Sequence, residues 1–257
     1  MPDLAADQFL PRPLFGRIFT ASRRVRFGDL SPVGRLRFDA LARFLQDVSS
    51  DDTTDAGLVN DVAWVVRRVA IEMTASPTFR EQVRLTTFCS GTGGRWAERR
   101  VALTGDAGAA IEAVSLWVHL DADSGRPLAL PADFHACYDE AAQGRRVSAR
   151  LQHETVVPDG AEVVAWSLRF TDFDLLGHVN NAATWAMVEE VLAARPHLRL
   201  PMRAELEYRL AIERGDHVEL AVVDQPDGSV SVWIREPSPL PGEPPRLFAT
   251  ATVAALD

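Results

Sequence analysis

The 257-residue sequence predicts an α+β fold of two like halves, each an antiparallel sheet covered by one long helix. Three observations lead there. The first is an internal repeat. Arg26 to Val48 (RFGDLSPVGRLRFDALARFLQDV) aligns without a gap on Arg169 to Val191 (RFTDFDLLGHVNNAATWAMVEEV), at a constant offset of 143 residues. Asp29 falls on Asp172, Gly34 on Gly177 and Val48 on Val191. The second is the form of each copy, which reads as a strand end, a tight turn and an amphipathic helix. The third is a set of four runs with strand character after each copy, the clearest alternating Val114, Leu116, Val118 and Leu120 with Ser115, Trp117 and His119.

Taken in order, MPDLAADQFLPRPLFG reads as a short mobile leader, and Arg17 to Phe27 as a strand. A helix follows, with Asp39 near its start and Leu41, Phe44, Leu45 and Val48 as its buried stripe. SSDDTTDAG is expected to end that helix as a polar loop. Strands are predicted at 63–73, 82–90, 95–104 and 111–120, punctuated by Pro77, Gly91–Gly94 and Asp106–Gly108. A connection with a short helix at 132–143 leads to the second half, with strands at 162–171, 202–212, 217–223, 229–235 and 247–256. EPSPLPGEPP at 236–245 is too rich in proline to pair as a strand. The division expected is a first half at 15–122, a connecting segment at 123–160 and a second half at 161–257.

A net charge of −9 argues against a general nucleic-acid binder, which needs a basic surface. All 27 cations are arginine. Cys89 and Cys137 lack metal-ligand spacing, so reduced thiols are expected, with no metal and no cofactor. No apolar run reaches membrane-spanning length and no signal-peptide pattern opens the chain, so the expected setting is cytoplasmic, without membrane insertion.

The second copy carries the reactive groups. Asp172 and Asp174 sit in its turn, Gly177 supplies backbone freedom, and His178 with Asn180 and Asn181 opens the helix, Asn181 being a suitable cap. The first copy has Ser31 against Asp174, Arg35 against His178, and Arg37–Phe38 against Asn180–Asn181. Because Asp172 has a counterpart in Asp29, it is assigned to structure and Asp174 to function. His119, His135, His153, His197 and His217 read as structural, as do the Arg67–Arg68, Arg99–Arg100 and Arg145–Arg146 pairs, expected on solvated faces with a subset able to hold an acidic carrier or a phosphate. Trp185 reads as core or pocket wall.

A strand, D-x-D-x-x-G-H-V-N-N, a helix and four antiparallel strands resemble the hot-dog fold, and two in one chain resemble the acyl-ACP thioesterase family. Trp64-Val65-Val66, PTFREQV at 77–83 and SLWVHLDADSGRPLALP at 115–131 are similar to that family's first half. The resemblance implies a tandem double hot-dog that hydrolyses fatty acyl thioesters of acyl carrier protein or coenzyme A, with acyl carrier protein as partner, and it leaves room for a homodimer. Asp174 matches the family's catalytic aspartate and His178 its histidine. The family's better-known members have Asn where Leu176 stands, and an acid followed by Cys where Ala211 and Ile212 follow Glu207-Tyr208-Arg209.

Chemically, Asp174 could attack the thioester or act as base on water, with His178 relaying the proton or orienting the water. Backbone N–H groups from Gly177 to Val179, at the positive end of the helix, are the expected oxyanion donors, with Asn180 and Asn181 beside them. Leu176, Trp185 and Trp64 are expected to line the substrate pocket, and the acyl chain is expected beneath the second-half helix. Competing readings are an acyl-CoA thioesterase, a non-catalytic acyl-thioester-binding protein, and a hot-dog hydratase or dehydratase, whose usual signatures are absent.

Overall fold

The computed structural model describes residues 9–58, 63–121, 123–237 and 245–256. The first half of the expected leader, residues 1–8, and residues 238–244 of the Pro-rich loop lie outside these. The element order is β1 (Phe19–Arg24), α1 (Phe38–Asp55), β2 (Ala63–Ala75), β3 (Gln82–Thr92), β4 (Trp96–Gly105), β5 (Ala110–Leu120), α2 (Ala132–Ala142), β6 (Glu162–Trp166), α3 (Asn181–Ala193), β7 (Met202–Tyr208), β8 (Val218–Asp224), β9 (Val230–Arg235) and β10 (Leu247–Ala255). Strand, helix and four strands thus occur twice, with α2 between.

All ten strands form one sheet, ordered β1-β3-β4-β5-β2-β7-β10-β9-β8-β6. The second half repeats the first in mirror order, and the two meet where β2 pairs antiparallel with β7, Arg68 opposite Glu207 and Met73 opposite Met202. Pairing equivalent strands antiparallel is what a two-fold relation between like units produces. The seam is tied by charge: Arg203 reaches Glu72 at 2.8 Å.

The helices cover one face together. Leu41, Phe44 and Val48 of α1 share a core with Trp185, Val188 and Leu192 of α3, and the rings of Phe38 and Trp185 lie 5.4 Å apart. Trp185 is wholly buried, as a residue at this spacing on a covering helix should be.

Several local expectations need correction. SSDDTTDAG is not a loop: α1 runs to Asp55. The hydroxyls of Ser49, Thr53 and Thr54 donate to carbonyls four residues back, so these polar side chains fold onto the helix instead of breaking it. Asp52, 1% exposed, then anchors the segment, accepting from Arg17 (2.7 Å), Arg99 (2.5 Å) and Tyr138 (2.8 Å). The first strand of each half is shorter than predicted because a 3₁₀ turn follows, Phe27–Asp29 in one and Phe170–Asp172 in the other. Most members of the arginine pairs are not solvated: Arg68 and Arg100 are buried, Arg99 is bonded to Asp52 and Arg145 to Glu98, while Arg146 is exposed as expected.

Candidate active site

Five backbone hydrogen bonds recur in both copies of the duplicated turn. In the second half Asp172 N–H donates to Arg169 O (3.0 Å), Asp174 N–H to His178 O (2.9 Å), Gly177 N–H to Asp174 O (3.0 Å), Asn180 N–H to Asp172 O (2.8 Å) and Thr184 N–H to Asn180 O (3.2 Å). The first half has each at an offset of 143: Asp29 to Arg26, Ser31 to Arg35, Gly34 to Ser31, Arg37 to Asp29 and Leu41 to Arg37. Gly34 and Gly177 have φ of 81° and 79°, a left-handed conformation that a side chain would strain. Asp29 and Asp172 each accept their own Arg26 or Arg169 N–H at 2.7 Å, the structural use expected of Asp172.

On this common frame the side chains diverge. Asp174 Oδ1 accepts the Leu176 N–H (2.9 Å), and Oδ2 receives Asn180 Nδ2 at 3.5 Å. His178 touches Asp174 through its backbone carbonyl; no side-chain hydrogen bond joins the two among the described residues. Asn180, not Asn181, is the cap: its Oδ1 accepts the Ala182 N–H (2.9 Å) and α3 begins at Asn181. The reason is the bond from Asn180 N–H to Asp172, which holds Asn180 in extended geometry one residue before the helix.

Two of the expected oxyanion donors, Gly177 N–H and Val179 N–H, are spent, while His178 N–H has no partner among the described residues. Gly177 N–H bonds within the turn and Val179 N–H donates to Ile212 O (2.9 Å). Asn181 N–H has no partner among the described residues. Tyr208 Oη donates to Asn181 O (2.9 Å), fixing the first helical residue, and burial pushes this phenol far above its usual pKa. Nothing in local spacing marks Tyr208, because it reaches Asn181 from 27 residues away, across the fold.

One small cavity adjoins this helix start, and a larger one shares two of its lining residues. A pocket of about 20 Å³ between the helices is lined by Asn181, Ala182, Trp185 and Tyr208 of the second half and by Gln46, Val69, Ser115 and Trp117 of the first. Gln46 and Trp117 also line a cavity of about 270 Å³ bounded by α1, α2 and the first-half strands, where Trp64, Ala97, His119, Phe134 and Tyr138 lie. Ligand pockets run from about 300 Å³ upward, so this cavity falls just below that range. The acyl channel is expected beneath α3, where Trp185, Met187 and Val188 are buried and the small pocket lies; the larger cavity lies instead where α2 stands over β3, beside α1. Trp64 lines the large cavity and Trp185 the small one, as pocket residues. Leu176 lines neither and is 69% exposed, because its turn projects into solvent.

One cluster has metal-ligand types. His153, Glu205 and Glu207 offer atoms within 4.8 Å of one another. Glu207 is already committed to Gln152 N–H, His153 N–H and Arg209, and Glu205 lies beside Arg68 and Arg203, so both carboxylates face cations of the chain itself.

Two antiparallel halves, each folded round a helix that begins beside a D-x-D-x-x-G-H turn or its worn copy, define a tandem hot-dog protein of the thioesterase type. The model of the acyl-ACP thioesterase N-terminal domain matches residues 16–138 and that of the acyl-ACP thioesterase C-terminal domain residues 158–234. The chain belongs to the acyl-ACP thioesterase family and is a thioester hydrolase. An uncharacterized protein of Mycobacterium tuberculosis is 32% identical over 206 residues, 80% of this chain and 82% of that one. Among solved structures, a 12:0-ACP thioesterase from Umbellularia californica superposes with a TM-score of 0.75 at 17% identity, covering 94% of this chain and 98% of that one. An acyl-ACP thioesterase from Bacteroides thetaiotaomicron gives 0.73 at 19% identity, covering 92% and 96%. These two likenesses speak for the fold. No helix among the described residues is long and apolar enough to cross a membrane.

Proposed function

We propose that this enzyme releases fatty acid from acyl carrier protein with Asp174 as its base or nucleophile, and that only the second half is catalytic. The observation that carries this is the pairing of Asp174 with an open helix start. The carboxylate is oriented by Leu176 N–H and Asn180 Nδ2, and seven residues on Asn181, whose N–H is unspent, lines the inter-helix pocket. In the first half Ser31 and Arg35 replace Asp174 and His178, so no carboxylate stands in that turn's second acidic position.

Acting as base, Asp174 takes a proton from water while the water oxygen bonds to the acyl carbon. Negative charge collects on the former carbonyl oxygen, where Asn181 N–H and the positive end of α3 stabilise it. The carbon–sulfur pair then leaves with sulfur, the proton passes to the thiolate, and free acid and thiol result. His178 orients the water or carries that proton. The acyl chain extends past Gln46 and Trp117 into the first-half cavity, whose lining of Trp64, Phe134 and Ala97 is largely apolar. A cytoplasmic setting belongs to this reading, supported by the free thiols Cys89 and Cys137.

Thiol release from a panel of acyl-ACP and acyl-CoA substrates tests it. Turnover with a preference for acyl-ACP is expected. Preference for acyl-CoA would reassign the partner, water addition to an enoyl thioester would reassign the reaction, and binding without thiol release would remove the catalytic role.

A further inference from the structure

The repeat makes a second residue of the site readable. The offset of 143 that relates the two turns continues through the helices and sets Phe38 against Asn181 and Gln46 against Glu189. In the first half both members of the pair are engaged. Glu189, reaching across from α3, accepts the Phe38 N–H with Oε1 at 2.5 Å and is clasped by both terminal nitrogens of Arg35 at 2.6 and 3.0 Å. That half's helix start is thereby plugged by a carboxylate from the other half.

The reciprocal contact is open. Gln46, reaching across from α1, lines the inter-helix pocket together with Asn181 and also lines the large first-half cavity. Neither its carboxamide nor the Asn181 N–H has a partner among the described residues. The difference between Glu and Gln decides what each position can do. A carboxylate only accepts, so Glu189 consumes the helix N–H; a carboxamide carries two donor hydrogens and no charge, so it can add to that N–H. Arg35, which neutralises Glu189, is matched in the second half by His178, so no arginine stands ready for a charged residue at 46.

We propose that Gln46 Nε2 is the second donor to the thioester carbonyl, supplied by the catalytically silent half and acting with Asn181 N–H on the developing oxyanion. This rests on the assignment of Asp174 and the α3 terminus to the reaction. It gives the first half a share in the chemistry beyond its cavity, because neither half completes the site alone.

The test compares Gln46→Glu and Gln46→Ala with wild type and Asp174→Asn, measuring kcat and KM for acyl-ACP and the melting temperature. Gln46→Glu changes no heavy-atom count, yet it recreates the first-half plug. It is expected to lower kcat by about 10²–10³, the usual loss for an oxyanion donor, with KM changed by less than about threefold and melting unchanged. Gln46→Ala, which only removes a donor, is expected to lower kcat about tenfold. The order, with the isosteric variant worse than the truncated one, is the signature, since a packing role gives the reverse. Gln46→Glu at wild-type kcat, or a loss that appears only with lowered melting temperature, overturns the inference. If Asp174→Asn also hydrolyses normally, the whole site reading falls; if Asp174→Asn is inactive while Gln46→Glu is not, only the Gln46 inference falls.

Discussion

His178 and Asp174 share a turn but not a side-chain hydrogen bond, and that sets their relative weight. A carboxylate oriented by Leu176 N–H and Asn180 Nδ2 is prepared without the imidazole. His178→Ala is therefore expected to cost about 10–10²-fold in kcat, short of the full loss expected for Asp174; steady-state kinetics of the two variants side by side checks the order. Both residues could be found in the sequence because their spacing lies within one turn. Asn181 N–H could not be singled out from its neighbours: which backbone donors remain free depends on Ile212 and Asp172 taking Val179 and Asn180. Tyr208 and Gln46 escaped for the same reason, since each meets the helix start from a distant element.

At the scale of elements, two buried carboxylates hold segments whose sequence reads as loop. Asp52 keeps the polar end of α1 helical by gathering Arg17, Arg99 and Tyr138. Asp52→Asn leaves Arg99 largely buried with its main counter-charge gone, and a loss of about 3–5 kcal/mol is expected in denaturant unfolding. Glu81 anchors two turns at once, accepting from Thr78 N–H (2.8 Å), Thr78 Oγ1 (3.1 Å), Ala107 N–H (2.9 Å) and Ala109 N–H (3.4 Å). Burial pushes its carboxyl up, but the four hydrogen bonds together outweigh this and hold it below the usual carboxylate range. A depressed folded value means stabilisation that is complete above the unfolded value, about 4.3, and lost as pH falls through the folded one. Glu81→Gln should thus cost about 1–3 kcal/mol at pH 7, with the gap from wild type narrowing below about pH 4; melting curves across pH 3–7 check it. Strand periodicity was legible in the sequence for β5 and its neighbours, because alternation follows directly from the pleat. The end of α1 was not, because its hydroxyls and Asp52 are satisfied by groups that only folding brings near.

For the molecule as a whole, duplication explains both the shape and the division of labour. Two like units joined through β2 and β7 make a continuous sheet with two helix starts, one plugged by Glu189 and one open beside Asp174. The repeat was legible because turn geometry constrains Asp29, Gly34, Asp172 and Gly177 alike. The cavity was not, because its walls come from α1, α2 and four strands whose spacing in sequence says nothing of the gap between them. If that cavity takes the acyl chain, Ala97→Phe should fill it. Activity toward long acyl chains is expected to fall at least tenfold while short ones are retained, read as kcat/KM over a chain-length series; a uniform loss at every length would place the chain elsewhere. The central claim, that one carboxylate at the open helix start performs the hydrolysis, is tested most directly by thiol release from acyl-ACP by Asp174→Asn. A fall of at least about 10³-fold in kcat, with melting temperature and acyl-ACP binding kept, is predicted; turnover within a few-fold of wild type would contradict it.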